Sequence, residues 1–258
     1  MMWDNFIWFS AASMLLWILG VVSLYMNKKS SLIGNILIAA GLVIFLIFIL
    51  LLWGDLKHPP LRTMGETRLW YSFFITLVGF GTWLRWRYKW LAGYSVLVSG
   101  VFIMVNLLKP EIHFTNLMPA LQSIWFVPHV TVYILSYAMF GAATIASFIA
   151  IRELKNKSER LMPLIDNLIY IGLGFLMTGM LLGAIWAKEA WGDYWTWDPK
   201  EVWAFITAAV YLLYIHARTQ KYPLRIILWI LPLAFVMLMI TWLGVNYLPA
   251  AQGSIHVY

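Results

Sequence analysis

Cysteine is absent from all 258 residues. That excludes a disulfide framework, a thiolate metal site and any thiol redox step performed by this chain, so thiol chemistry must come from a partner. Charge is scarce too: Asp, Glu, Lys and Arg make up 11% of the residues against 62% hydrophobic ones. A soluble domain of that balance would have far more apolar surface than one core can bury, and a bilayer is the expected solvent. Acidic residues number only 11, which leaves a formal net charge of +7. The basic residues fall in short loops between apolar runs and form no continuous stripe, so no nucleic-acid binding is expected. The opening MMWDNFIWFS lacks the positive stretch of a signal peptide, and no small-residue cleavage site follows before Lys28; it is expected to stay as a first span. There is no internal repeat and no linker long enough to define a second domain, so 1–258 reads as a single transmembrane domain.

Long apolar runs are what the chain has in abundance. A hydrocarbon core about 30 Å thick takes roughly 20 residues of helix. Eight runs qualify: 3–26, 32–53, 68–86, 90–108, 128–151, 163–187, 201–218 and 224–246. The expected fold is therefore an all-α integral membrane protein, a polytopic helical bundle of about eight transmembrane helices in the lipid bilayer. Twelve of the 18 Lys and Arg residues lie in the first, third, fifth and seventh loops. By the positive-inside rule those loops are cytoplasmic, which puts the N- and C-termini and the loop between spans six and seven outside.

That sixth loop is where the 16 Trp residues concentrate. Most Trp in such a chain belongs to an interfacial belt, where an apolar ring and a polar N–H are both satisfied. Here five Trp fall within 18 residues, Trp186 to Trp203, and belts use scattered rings. The 186–203 stretch is expected as an external Trp-rich loop, with Trp191, Trp195 and Trp197 as a platform for a large planar ligand such as a porphyrin. Gly192 allows a tight turn within it. Its far end has a plainer reading: Asp198 as N-cap, Pro199 at the first helical position and Glu201 three residues on form a capping box that starts span seven, with Trp197 and Val202 placed as a hydrophobic staple.

Five histidines remain. His129 follows Pro128 at the outer start of span five, where Tyr133, Ser136, Tyr137 and Phe140 share its side and face the bundle. His256 lies in the outer tail. Alone, each reads as a solvated or capping residue; together, on the side of the Trp loop, they are candidates for the two axial positions of one haem iron. His216 lies about 22 Å down span seven from Glu201, and an ionisable group there is a functional candidate by default. Its plainer reading is a snorkelling neighbour of Arg218. No second histidine falls inside a span, so a ligand partner for His216 must come from another chain. His58 and His113, beside prolines and mixed charges, are expected not to be ligands. Lys188, Lys200 and Arg62 are outer cations suited to haem propionates, although such residues are usually solvated or headgroup-bound.

At these residues the chain resembles the CcsA (ResC) family of cytochrome c assembly proteins, within the haem-handling superfamily that has a WWD domain. The resemblance rests on WGDYWTWDPKEVW, the following span ending YIHAR, PHVTVYILSYAMF before it, the tail GSIHV, and more loosely HPPLRTMGE. It implies an extracytoplasmic site in a bacterial cytoplasmic membrane, where haem b is moved or presented. There, with a CcsB (ResB)-type membrane partner, haem is attached through two thioethers to the Cys-x-x-Cys-His motif of apocytochrome c. Carried over by motif, His129 and His256 would be the external axial ligands and His216 the intramembrane ligand opposite a partner histidine. Trp191, Trp195, Trp197 and Asp198 would form the surface on which haem is presented. The tail departs from the family, which more often has serine after that histidine where SIHVY has valine. With no fused partner domain, the chain is expected to be a haem lyase subunit, inactive alone. The competing readings are a CcmC-type protein, which hands haem to a chaperone without making thioethers, and a redox subunit with structural Trp. Eight spans instead of six, and Pro-Lys-Glu after Trp-Asp, favour the CcsA resemblance over the CcmC type. Thioether formation needs positioned haem more than a protein nucleophile, in keeping with zero cysteines.

Overall fold

The computed structural model describes residues 2–26, 31–110, 119–153 and 158–249, and among them there is no strand. Eight long helices follow one another: α1 (Phe6–Met26), α2 (Leu32–Leu56), α3 (Met64–Trp86), α4 (Lys89–Leu108), α5 (Phe126–Arg152), α6 (Met162–Trp191), α7 (Pro199–Thr219) and α8 (Leu224–Met239). All but α3 are long and apolar enough to cross a membrane, α8 together with the helical turn that continues it to Gly244. The chain is a polytopic helical membrane protein. Helix α3 is long enough at 23 residues, but Trp, Tyr, Gly, Ser and Thr lower its hydropathy. Much of its surface, from Leu69 and Tyr71 to Val78 and Trp83, is buried against protein.

Three helix ends differ by four residues or more from those expected from apolar runs alone. Helix α3 starts four residues before 68, because the Thr63 hydroxyl accepts the Glu66 N–H at 3.2 Å while the Glu66 carboxylate accepts the Thr63 N–H at 3.1 Å. This reciprocal box satisfies N–H groups that the first turn leaves unpaired. Helix α6 runs past 187 to Trp191. Helix α8 gives way to a π-helical turn over Ile240–Gly244 and a short 3₁₀ segment over Val245–Tyr247.

The helices fall into two compact units, Met1–Leu117 and Met118–Tyr258. In the first, α1 pairs with α2 and α3 with α4. The indole of Trp83 donates to Asn35 at 2.9 Å, and Asn106 donates to the Gly65 carbonyl at 3.0 Å.

The second unit is organised around α5, which packs along α6 and against α8. Its inner face is small: Ala138, Gly141, Ala142, Ala143, Ala146, Ser147 and Ala150 are all buried. With little gained by burying apolar surface away from lipid, close backbone approach and side-chain hydrogen bonds hold such helices together. The Ser136 hydroxyl donates to the Gly172 carbonyl at 2.7 Å, the Phe140 and Tyr211 rings stack at 3.6 Å, and Thr207 meets Thr241 at 2.9 Å. At the opposite end of α6 from the Trp-rich stretch, Asp166 accepts from the Tyr214 hydroxyl at 2.7 Å and from the Arg218 guanidinium at 3.1 Å. Arg218 thus pairs with an acid on α6. Both members are partly exposed, so Asp166→Ala is expected to cost about 2 kcal/mol and Tyr214→Phe about 1. Thermal unfolding of the purified protein measures both, and equal costs would show that the tyrosine, not the ion pair, dominates.

Candidate functional site

The site is built from the first turn of α5 upward. Pro128 is tolerated there because first-turn N–H groups have no helical partner. One residue on, the half-buried His129 turns toward α6, where its Nδ1 lies 2.8 Å from the Gly179 carbonyl oxygen. A carbonyl only accepts, so the proton of the neutral ring is on Nδ1 and the lone pair on Nε2. The ring stacks on Trp186 at 5.6 Å and meets Tyr133 at 4.5 Å. Trp186 is itself buried, its indole N–H donating to the Ala120 carbonyl at 2.7 Å and its ring touching Phe126 at 5.0 Å. As expected, Ser136, Tyr137 and Phe140 are buried on the same helix.

The Trp-rich stretch divides into three. Residues 186–191 are the last turns of α6, residues 199–203 are the first turn of α7, and only 192–198 is loop. Gly192 ends α6 with a φ of 93°, a left-handed conformation that a side chain would strain. Its N–H bonds to the Lys188 carbonyl at 3.1 Å, and the Lys188 ammonium reaches back to the Gly192 carbonyl. At the other end the expected capping box is present: Asp198 accepts from the Lys200 N–H at 3.1 Å, with Pro199 at the first helical position.

Glu201 does more than cap. Its buried Oε2 accepts the Asp198 N–H at 3.1 Å and the Thr196 N–H at 2.8 Å, with the Thr196 hydroxyl at 3.4 Å. Between those two tied residues Trp197 is held at a φ of 61°, which costs a non-glycine residue about 1–2 kcal/mol. The consequence is an indole 64% exposed, edge-on to Trp195 at 5.9 Å and to Phe205 at 6.1 Å. The Trp195 Nε1 is buried without a hydrogen-bond partner among the described residues. A buried indole N–H without an acceptor is a place for an anionic or carbonyl group to bind.

The sequence candidates thus fall in different places. Trp191 packs edge-on to Trp186 at 4.7 Å and so joins the cluster behind His129. Trp195 and Trp197 form a separate, perpendicular pair at 86°. Asp198 is buried as the N-cap. His216 is exposed, on the face of α7 that also exposes Phe205, Ala209 and Leu212, and not on the face of Tyr211 and Tyr214. His58 lies 3.0 Å from the Pro59 carbonyl in the first unit, where Arg62 also lies. His113 and His256 lie outside the described residues. No cluster of three or more His, Asp or Glu suited to a metal ion occurs among the described residues.

Two features of the site escaped the sequence reading, Gly179 with Gly183 and the wider role of Glu201. The glycines stand in the small-xxx-small spacing of close helix pairs, a signal present in TGMLLG. Nothing in the spacing of Thr196 and Glu201 advertises a bond between them.

Comparison with known proteins bears on all of this. A family model described as cytochrome C assembly protein matches residues 7–251. The cytochrome c biogenesis protein CcsA of Chlamydomonas reinhardtii is 35% identical over 220 residues, covering 79% of this chain and 62% of that protein. CcsA of Coffea arabica is 30% identical over 280 aligned positions, covering 89% of this chain and 85% of that protein. Protein NrfI of Wolinella succinogenes is 33% identical over 217 residues, 76% of this chain but only 23% of that much longer protein.

Proposed function

The chain belongs to the cytochrome c assembly protein family and has its place in cytochrome c biogenesis, and on that premise we propose that it presents haem for covalent attachment to apocytochrome c. The observation that supports this best is His129, a half-buried imidazole whose Nδ1 proton is committed to a backbone carbonyl. Haem-binding and metal-binding histidines are oriented in this way by the partner of their other nitrogen. Nε2 of His129 binds the iron on one side and His256, from the tail, on the other.

Trp195 and Trp197 face the porphyrin, and the unpaired Trp195 indole N–H meets a propionate. Haem is substrate here: its two vinyl groups take up the two thiols of Cys-x-x-Cys-His, and this chain's residues supply orientation and exclude water. No thiol of the chain itself is needed.

His216, on the exposed stripe of α7, ligates haem within the membrane opposite a histidine of a CcsB-type partner. We place the His129 site on the extracytoplasmic face, in agreement with the distribution of Lys and Arg.

Coexpression with such a partner and an apocytochrome tests the reading. Haem that stays on the cytochrome through acid–acetone extraction is the expected result. Haem that is bound by this chain but wholly extracted from the cytochrome would favour delivery to a chaperone instead.

A further inference from the structure

Resting on the reading of His129 as a haem ligand, we propose that Gly179 and Gly183 of α6 are positioning residues that fix both the tautomer and the place of its imidazole. Four residues apart, they lie one turn above each other on the face that α5 packs against. Gly179 offers its carbonyl: the oxygen already in the α6 ladder has a second lone pair, which takes the Nδ1 proton of His129 at 2.8 Å. Gly183 offers an absence. A Cβ on Gly183 would lie 2.6 Å from Cε1 and 2.7 Å from Nδ1 of His129, closer than real contacts allow. A Cβ on Gly179 would overlap the Tyr133 ring, which packs on the same imidazole.

Displacement of the ring is not cheap, because it is in ring contact with both Trp186 and Tyr133. A methyl at 183 must therefore push the imidazole away from the Gly179 carbonyl. Once that bond is lost, nothing holds the proton on Nδ1, and Nε2 is a weaker and misplaced ligand.

The same helix supplies two controls. Gly172 closes on Phe140, where a Cβ would come within 2.9 Å of Cε1, so Gly172→Ala disturbs the α5–α6 seam without touching His129. Gly174 has nothing within 4 Å, so Gly174→Ala reports only on a helical glycine.

The experiment purifies the haem-loaded chain with its partner and records ferrous spectra. Gly183→Ala is expected to lose the same share of the six-coordinate low-spin bands as His129→Ala does, the haem at His216 keeping its own, to retain haem at the His129 site about 10- to 100-fold less tightly, and to regain the lost bands on addition of imidazole. Gly172→Ala and Gly174→Ala are expected to keep the full bands. Low-spin bands in Gly183→Ala as strong as in wild type, or an equal loss in Gly172→Ala, would overturn the proposal. An unchanged spectrum in His129→Ala would instead remove the ligand reading on which it rests. A second measurement holds even if Gly183→Ala fails to assemble: ¹⁵N solid-state NMR of histidine in the haem-free wild-type complex. The signal missing from His129→Ala should be that of an Nδ1-protonated neutral ring, and an Nε2-protonated ring there would overturn the proposal whatever the haem does.

Discussion

His129→Ala is expected to lower haem affinity at its site by roughly 100-fold or more and to convert the ferrous haem that remains at that site from low to high spin. The reasoning is one of degree. Removing a residue that merely orients a metal ligand costs about 10- to 100-fold in affinity, so removing the ligand itself should reach at least the upper end of that range. The effect should be confined to ligation. His129 is half-buried and its neighbours Trp186 and Tyr133 are each held without it: Trp186 bonds to Ala120 and packs on Phe126, and Tyr133 stacks on Tyr137 at 5.7 Å. The variant should therefore fold and insert normally. Haem spectra and covalent cytochrome yield should fall together while membrane protein levels hold. Low-spin haem at wild-type occupancy would mean that His129 is no ligand and that its bond to Gly179 serves helix packing alone.

The partner of His129 could not have been read from the chain, because the contact joins a side chain to a backbone oxygen 50 residues away. Sequence patterns report which faces are apolar, not where a carbonyl is laid bare by a missing Cβ. The spans themselves were legible, since hydropathy is a property of composition. Many of their ends are legible as well: α1 stops at Met26, α2 starts at Leu32, α3 stops at Trp86 and α4 at Leu108, where the apolar runs place them. Asp198 to Glu201 reads as a capping box and is one; Thr63 to Glu66 is the same device, but an apolar run that begins at 68 leaves Glu66 out and starts the helix a turn late. The α6 terminus was placed early for a related reason: Lys188 and Glu189 look like loop residues, yet Lys188 closes the cap at Gly192, while Glu189 accepts from Ser123 at 2.8 Å.

The division of the tryptophans was the least legible feature. Trp191, Trp195 and Trp197 read as one platform, but the helix end at Gly192 separates the first from the other two. Trp186 and Trp191 stay on α6 and pack behind His129, whereas Trp195 and Trp197 follow the loop. Density of a residue type along the chain says nothing about which rings a turn will separate.

Glu201→Ala is expected to dismantle the Trp195–Trp197 pair while leaving the helices in place. The carboxylate accepts from Asp198 N–H, Thr196 N–H and the Thr196 hydroxyl, and both backbone donors lie in a loop that has no other regular structure to satisfy them. Losing a helix cap costs about 1 kcal/mol and stranding donors that bonded to a charge costs about 1.5–3 more, so roughly 3 kcal/mol is at stake locally. That exceeds the 1–2 kcal/mol stored in the left-handed backbone at Trp197. Without Glu201 the residue should relax, and the exposed indole should leave its edge-on contacts with Trp195 and Phe205. Glu201→Gln keeps an acceptor oxygen and should lose only about 1 kcal/mol.

Two further variants separate conformation from ring. Trp197→Gly removes the strain together with the indole, and Trp197→Phe keeps an apolar ring under the same strain. If the presented ring is what haem meets, Trp197→Phe should retain most haem binding, and Glu201→Ala and Trp197→Gly should each lose it about tenfold, the worth of one aromatic contact of about 1–1.5 kcal/mol. Limited proteolysis of the 192–198 loop should accelerate in Glu201→Ala alone. Equal haem retention in Glu201→Ala and wild type, with the loop cleaved faster, would show that the presented conformation of Trp197 is not what holds the porphyrin.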